Sequence, residues 1–171
     1  MIFKPKHKKY SKKMSTWGIG LKMMLISLPF ILLFAFLSFF FESIFQFPGN
    51  TKWLLILGLV WMVLGFIILL ISKKTIKRTF RENILITTGI YGFIRDPVYA
   101  AWILGILPGI ALFFRSWILC FIPLVLYIVY RILIPTEEKF LENKYGDEYL
   151  NYKKNVWRII PHLKPYKKKQ N

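Results

Sequence analysis

Four stretches of this chain carry no charged residue: residues 23–41, 53–72, 97–114 and 116–130, which are 19, 20, 18 and 15 residues long. Crossing a hydrocarbon core of ~30 Å takes about 20 mainly apolar residues in a helix. Only a helix or a closed barrel satisfies the backbone hydrogen bonds away from water. The first two runs therefore predict transmembrane helices. The last two, separated only by Arg115, predict a tight helical hairpin. The fold class that follows is an all-α integral membrane protein with four transmembrane helices in one domain. The expected spans are 21–41, 53–72, 97–114 and 116–134, with a cytoplasmic loop over 73–96, cytoplasmic helices over 136–161 and basic tails over 1–20 and 162–171. A basic amino end before an apolar run also fits a signal peptide. This run exceeds a typical signal core, however, and no small-x-small site follows before Glu42, so the run is expected to be retained.

The net charge of +17 raises the question of nucleic acid, and the position of the charges answers it. Of 25 Lys and Arg, seven lie in residues 1–22, six in 72–97 and nine in 135–171. With four spans, all three regions face one side, and the positive-inside rule makes that side cytoplasmic, with both termini on it. Topogenic charge and attraction to anionic lipid headgroups account for the excess. Nucleic-acid binding needs a basic patch on a folded soluble surface, and the sequence leaves no such domain. Cys120 is the only cysteine, and the two histidines, His7 and His162, sit near opposite ends, so neither a disulfide nor a Cys/His metal centre is expected. The Lys-rich ends, residues 4–13 and 164–171, have little to bury and are expected to be disordered.

Two polar blocks interrupt this pattern. LITTGIYGFIRDPVY, residues 85–99, leads into the third run; TEEKFLENKYGDEYLNY, residues 136–152, follows the fourth. Asn83, Ile84, Leu85 and Ile86 with the threonines after them are poor helix formers and predict a strand or loop at the interface. Asp96-Pro97 is a cap-and-first-turn pair, so helix capping alone would explain Asp96. Thr136 reads as the N-cap of a separate helix in which Glu137 and Glu138 match the dipole, and Gly146 reads as its stop. Pro29 predicts a kink in the first span, and Gly58 and Gly65 predict close helix contact in the second.

No phosphate-cradling loop, dinucleotide fingerprint or Ser-His-Asp set is present. What remains is Tyr91, Arg95, Asp96 and Tyr99 on one segment and Glu137 and Glu138 on another. Carboxylates and tyrosine rings in one partly dehydrated pocket suit an organic cation, through charge pairing and cation–π contact. A sulfonium is such a cation, and methyl transfer from it needs chiefly an acceptor aligned about 3 Å away.

The two blocks together resemble the isoprenylcysteine carboxyl methyltransferase family and its phospholipid N-methyltransferase relatives. The family pattern is roughly LVTxGxYxxxRHPxY, a helical hairpin, then EExxLxxxFGxEYxxYxxxVxRxxP, and it corresponds to residues 83–161 here. The resemblance implies an integral-membrane enzyme using S-adenosyl-L-methionine, with a lipid or lipophilic small-molecule acceptor entering from the bilayer. It implies a cofactor site lined by Asn83, Ile84, Leu85 and Ile86, by Tyr91, by Asp96, Pro97, Val98 and Tyr99, and by Glu137, with Arg95 and Glu138 counted as cofactor-binding candidates beside them. Three positions depart from the pattern: Asp96 stands where the family has His, Asn83 where the eukaryotic enzymes often have His, and Leu133 where they have a substrate-contacting Arg. The last departure argues against a prenyl-cysteine carboxylate as substrate. The sterol reductases, which use NADPH, resemble the same carboxyl-terminal hairpin and are the alternative enzyme class; they are usually longer. A non-catalytic membrane protein that keeps the fold is a further alternative.

Overall fold

The computed structural model describes residues 19–49, 51–82 (backbone only from 77) and 84–166. Asn50, Asn83 and most of the Lys-rich ends therefore lie outside the described residues. Among the described residues six helices follow one another: α1 Gly20–Phe40, α2 Glu42–Phe45, α3 Lys52–Glu82, α4 Pro97–Phe113, α5 Phe121–Tyr145 and α6 Asp147–Asn155. Short 3-10 turns at Gly89–Gly92 and Trp117–Cys120 precede α4 and α5. Among the described residues three apolar helices are long enough to cross a bilayer: Gly20–Phe40, Lys52–Ile76 and Trp117–Tyr145, the last counted together with its leading 3-10 turn. Their apolar windows are only 11%, 22% and 39% buried within the chain. So much apolar surface turned outward requires lipid against it, and the protein is a multi-pass integral membrane protein. The fourth apolar helix, Pro97–Phe113, has 17 residues by its bounds.

The helices pack as two pairs, α1 with α5 and α3 with α4. The α3–α4 contact is backbone against backbone. A Cβ on Gly65 would lie 2.7 Å from the Ile106 nitrogen, and one on Gly105 would lie 2.6 Å from the Gly65 Cα. Glycine is what allows this approach, as the spacing of Gly58 and Gly65 led us to expect, with Gly105 and Gly109 as the matching pair. Around Gly105 α4 widens into a π-helical turn, Ala101–Ile106. Pro108 has no N–H for the Leu104 carbonyl four residues back, and the Trp61 indole donates to that oxygen at 2.7 Å. A polar group at bilayer depth is thus satisfied by the neighbouring helix.

One end of the bundle is closed by two turns that touch. Phe47 N–H donates to the Arg115 carbonyl at 2.9 Å, and the Ser38 hydroxyl donates to that of Ser116 at 2.8 Å. All the polar machinery lies at the other end.

Three local expectations need correction. Helix α3 does not stop at Ser72 but runs to Glu82, taking up the first part of the anticipated loop. No new helix begins at Thr136, because α5 continues through Pro135 to Tyr145. Proline inside a helix costs about 3 kcal/mol, but Tyr130, Ile134 and Glu138, four residues apart, form one buried stripe across it. Tertiary packing outweighs the local break signal. The tail is docked as far as Tyr166, whose N–H donates to the Gly92 carbonyl at 2.9 Å and whose ring meets that of Tyr152 edge-on. Gly146 does end α5, at φ 55 and ψ −132, a conformation that side chains disfavour.

Candidate functional site

The site is assembled by pairing two segments that are far apart in sequence. Ile84 to Thr87 has no regular structure, and the 3-10 turn then carries Tyr91 inward. Arg95 and Asp96 N–H groups donate to the carbonyls of Trp157 and Arg158, each at 2.8 Å, and His162 N–H donates to the Phe93 carbonyl at 2.8 Å. The Tyr152 hydroxyl donates to the Tyr91 carbonyl at 2.6 Å. Residues 156–166 therefore clamp the loop before α4, and the clamp sets where Arg95 and Asp96 point.

One side of this junction is acidic and aromatic. Asp96 precedes α4, with Pro97 as its first residue, but its side chain makes no cap hydrogen bond. Its carboxylate instead accepts from the Tyr130 hydroxyl of α5. Two helical turns further along α5, Glu137 accepts from the Tyr99 hydroxyl at 3.2 Å. The Tyr99 and Tyr130 ring centroids are 5.1 Å apart. The Tyr91 hydroxyl is buried and meets no hydrogen-bond partner among the described residues. Burial, with the charges of Asp96 and Glu137 behind it, holds that phenol above its usual pKa, so it stays a proton donor. Burial also pushes the Asp96 carboxyl up, against the pull of the Tyr130 hydrogen bond and of Arg95 and Arg158.

The other side is tied together by ion pairs, with Arg95 Nε alone of its buried donors lacking a partner among the described residues. Glu138, buried, receives Arg95 Nη2 at 2.7 Å, Arg158 Nη2 at 2.7 Å and Lys153 Nζ at 2.9 Å. Lys153 also reaches Glu142 at 2.7 Å, and Arg95 Nη1 donates to the Lys153 carbonyl at 3.2 Å. These contacts join the loop before α4, α5, α6 and the segment after it.

Of the residues singled out from sequence, Tyr91, Asp96, Tyr99 and Glu137 come together on the acidic side. Arg95 and Glu138 meet on the basic side. Pro97 is buried and Val98 half-buried at the start of α4. Leu85 packs with Tyr149, Tyr152 and Val156, while Ile86 is half-buried and Ile84 exposed. Asn83 is outside the described residues. Sequence reasoning gave no role to Tyr130, Tyr152, Lys153 or Arg158. Tyr130 had one available signal: it stands seven residues before Glu137, on the same face of a helix.

Beside the site, α4, α5 and residues 156–160 enclose a groove of about 680 Å³. Its floor is apolar, with Ile103, Leu104, Pro108, Pro123 and Leu124, and its upper wall carries Tyr127, Tyr130, Arg131 and Trp157.

A small helical membrane protein, with a half-buried carboxylate–tyrosine cluster where its loop meets its carboxyl-terminal helices, defines a class to which comparison adds a family. The model of the phospholipid methyltransferase family matches residues 51–148, and the chain belongs to that family. Among curated proteins it is similar to the protein-S-isoprenylcysteine O-methyltransferase of Dictyostelium discoideum, 28% identical over 140 residues, covering 76% of this chain and 59% of that one. The protein of the same name from Schizosaccharomyces pombe is 33% identical over 84 residues, 47% of this chain and 34% of that one. The chain thus spans at most 59% of the length of these curated relatives. Among solved structures, the eukaryotic intramembrane Ras methyltransferase, an isoprenylcysteine carboxyl methyltransferase, superimposes with a TM-score of 0.60 at 22% identity, over 85% of this chain and 55% of that one. That likeness shows the fold.

Proposed function

We propose that this protein is an S-adenosyl-L-methionine-dependent methyltransferase acting on a lipid-like or apolar acceptor at the cytoplasmic face of a membrane. The observation that carries the reading is the acidic cluster: two carboxylates, Asp96 and Glu137, and a buried donor without a partner, Tyr91, gathered among tyrosine rings. A buried hydroxyl left unmatched costs about 1–3 kcal/mol, which a bound molecule carrying an acceptor would recover. Membership of the methyltransferase family and the names of the curated relatives support the same reading.

S-adenosyl-L-methionine, when bound, supplies an electrophilic methyl group on a cationic sulfonium. The residues here fit it. Asp96 and Glu137 accept hydrogen bonds from ammonium, amino and hydroxyl groups, and Tyr91 donates one. Tyr99 offers ring surface to a cation, with the fully buried Tyr130 packed behind it. Ile84, Leu85, Ile86, Pro97 and Val98 would supply the apolar side of the cofactor site. Arg95 and Glu138, held by their own ion pairs, fix the loop carrying this set rather than spending their charges on the ligand. The acceptor enters from the bilayer, as four spans with both termini cytoplasmic would allow. Leu133, in place of an Arg, argues for an acceptor other than prenyl-cysteine carboxylate.

The test is methyl incorporation. Membranes containing the protein, supplied with methyl-labelled S-adenosyl-L-methionine, should transfer label to solvent-extractable lipid. The Glu137→Ala protein should not. Incorporation that survives in Glu137→Ala removes the acidic cluster from the account. Topology is checked in a Cys120→Ser background, where single cysteines at Thr51 and Lys164 should label from opposite sides of the membrane.

A further inference from the structure

The groove between α4 and α5 carries an observation that the methyltransferase reading does not use. Arg131 lines it, is solvent- or lipid-exposed, and has no ion-pair or hydrogen-bond partner among the described residues. It follows Tyr130, whose hydroxyl meets Asp96 at the head of α4, so the guanidinium stands near the polar end of the bundle, where a basic side chain reaches the headgroup layer. Around it the groove's upper wall holds Arg95, Lys153 and Arg158 and no acid. The acids paired with those three are Glu138 and Glu142, and Asp96 lies within electrostatic reach of Arg95 and Arg158. Four cations against three acids leave the rim with a net charge of +1. Below the rim every lining residue is apolar, and Leu104 and Leu124 of that floor are exposed. The volume of about 680 Å³ is that of a small-molecule site.

We propose that this groove is a binding site for one anionic phospholipid of the surrounding leaflet, its phosphate on Arg131 and Arg158 and part of an acyl chain along Leu104, Pro108 and Leu124. Charge and polarity are matched end to end: a guanidinium pair at the rim holds phosphate oxygens, and the floor continues the hydrocarbon layer. The site is adjacent to the acidic cluster, joined to it through Tyr130, and binding there does not pass through the cofactor.

The experiment is native mass spectrometry of the full chain released from bilayers containing equal amounts of dioleoylphosphatidylglycerol and dioleoylphosphatidylcholine. Wild-type protein should retain one phosphatidylglycerol in preference to phosphatidylcholine by about fivefold, the ratio provided by one basic residue at an anionic surface. Arg131→Gln should abolish the preference, whereas Lys52→Gln at the other end of the bundle should keep it. Leu124→Trp, which fills the groove and leaves every charge in place, should also abolish it. Excess inorganic phosphate should leave the preference intact, because the chain anchors the lipid. Equal retention of the two lipids by wild type overturns the proposal. So does a preference that persists in both Arg131→Gln and Leu124→Trp, or one that inorganic phosphate removes. Because no S-adenosyl-L-methionine is present, failure here leaves the methyltransferase reading standing, and failure of that reading leaves this result standing.

Discussion

Glu137 and Glu138 are neighbours on one helix with opposite surroundings. Glu138 is met by three cations at 2.7 to 2.9 Å, and every oxygen it has is used. Glu137 accepts one hydrogen bond, from Tyr99 at 3.2 Å, and shares its surroundings with Asp96 and a Tyr91 hydroxyl that has no partner. A turn of 100° along α5 thus separates a carboxylate whose oxygens are all met by cations from one with room for a partner. The ion pairs of Glu138 explain how the loop, α5, α6 and the tail are held together, although Arg95 Nε has no partner among the described residues. The Glu137 side is poised for a ligand, since buried polar groups in a native protein generally have partners.

That contrast is most easily broken at Glu138. Replacing it by Ala leaves Arg95, buried, with its guanidinium unmatched, and should destabilise the protein by about 3–5 kcal/mol. Thermal unfolding in detergent measures this, and an unchanged midpoint would show that the ion pairs hold nothing. Glu137→Ala should behave in the opposite way. Its stability should stay near wild type, while S-adenosyl-L-methionine binding weakens by about 1–3 kcal/mol, the loss of one charged hydrogen-bond partner. Similar melting losses in both variants would erase the distinction between the two glutamates.

Asp96 sharpens the comparison with a smaller effect. Its pKa is raised, chiefly by burial, so the protonated form is favoured in the folded protein. The sign follows: this carboxylate contributes no stability at neutral pH. It subtracts some as pH rises from the ordinary carboxylate range through its raised value. Asp96→Asn, which still offers an acceptor to Tyr130, should therefore match or slightly exceed wild type in melting temperature at neutral pH. The gap should close in acid. Affinity for a cationic ligand should move the other way, falling in wild type as pH drops through that raised pKa and being weak at all pH in Asp96→Asn. If Asp96 only capped α4, Asn would bind as wild type does.

Much of the fold was legible because length and apolarity decide it. The uncharged runs gave the helices, and the glycines of α3 gave their closest contact. Helix ends were less legible. Pro135 and Thr136 look like a break followed by a cap, yet Ile134 and Glu138 carry the buried stripe straight past them, a tertiary effect that no local signal contains. The acidic cluster was read from residue types alone, since carboxylates and tyrosines in two polar blocks at one membrane face have few other uses. Its division into two networks was not readable. The three cations around Glu138 come from the loop, α6 and the tail, and only the backbone pairing of residues 92–96 with 157–166 brings them together. Asp96 was half right: it stands at the cap position, but its side chain turns to Tyr130, a residue hidden within an apolar run.

The measurement that tests the central claim most directly is equilibrium binding of labelled S-adenosyl-L-methionine to the detergent-purified protein, with NADPH as competitor and Glu137→Ala and Asp96→Asn alongside. The account predicts saturable binding that NADPH does not displace and that both variants weaken while remaining folded. Absence of saturable binding, displacement by NADPH, or undiminished affinity in both variants would contradict it.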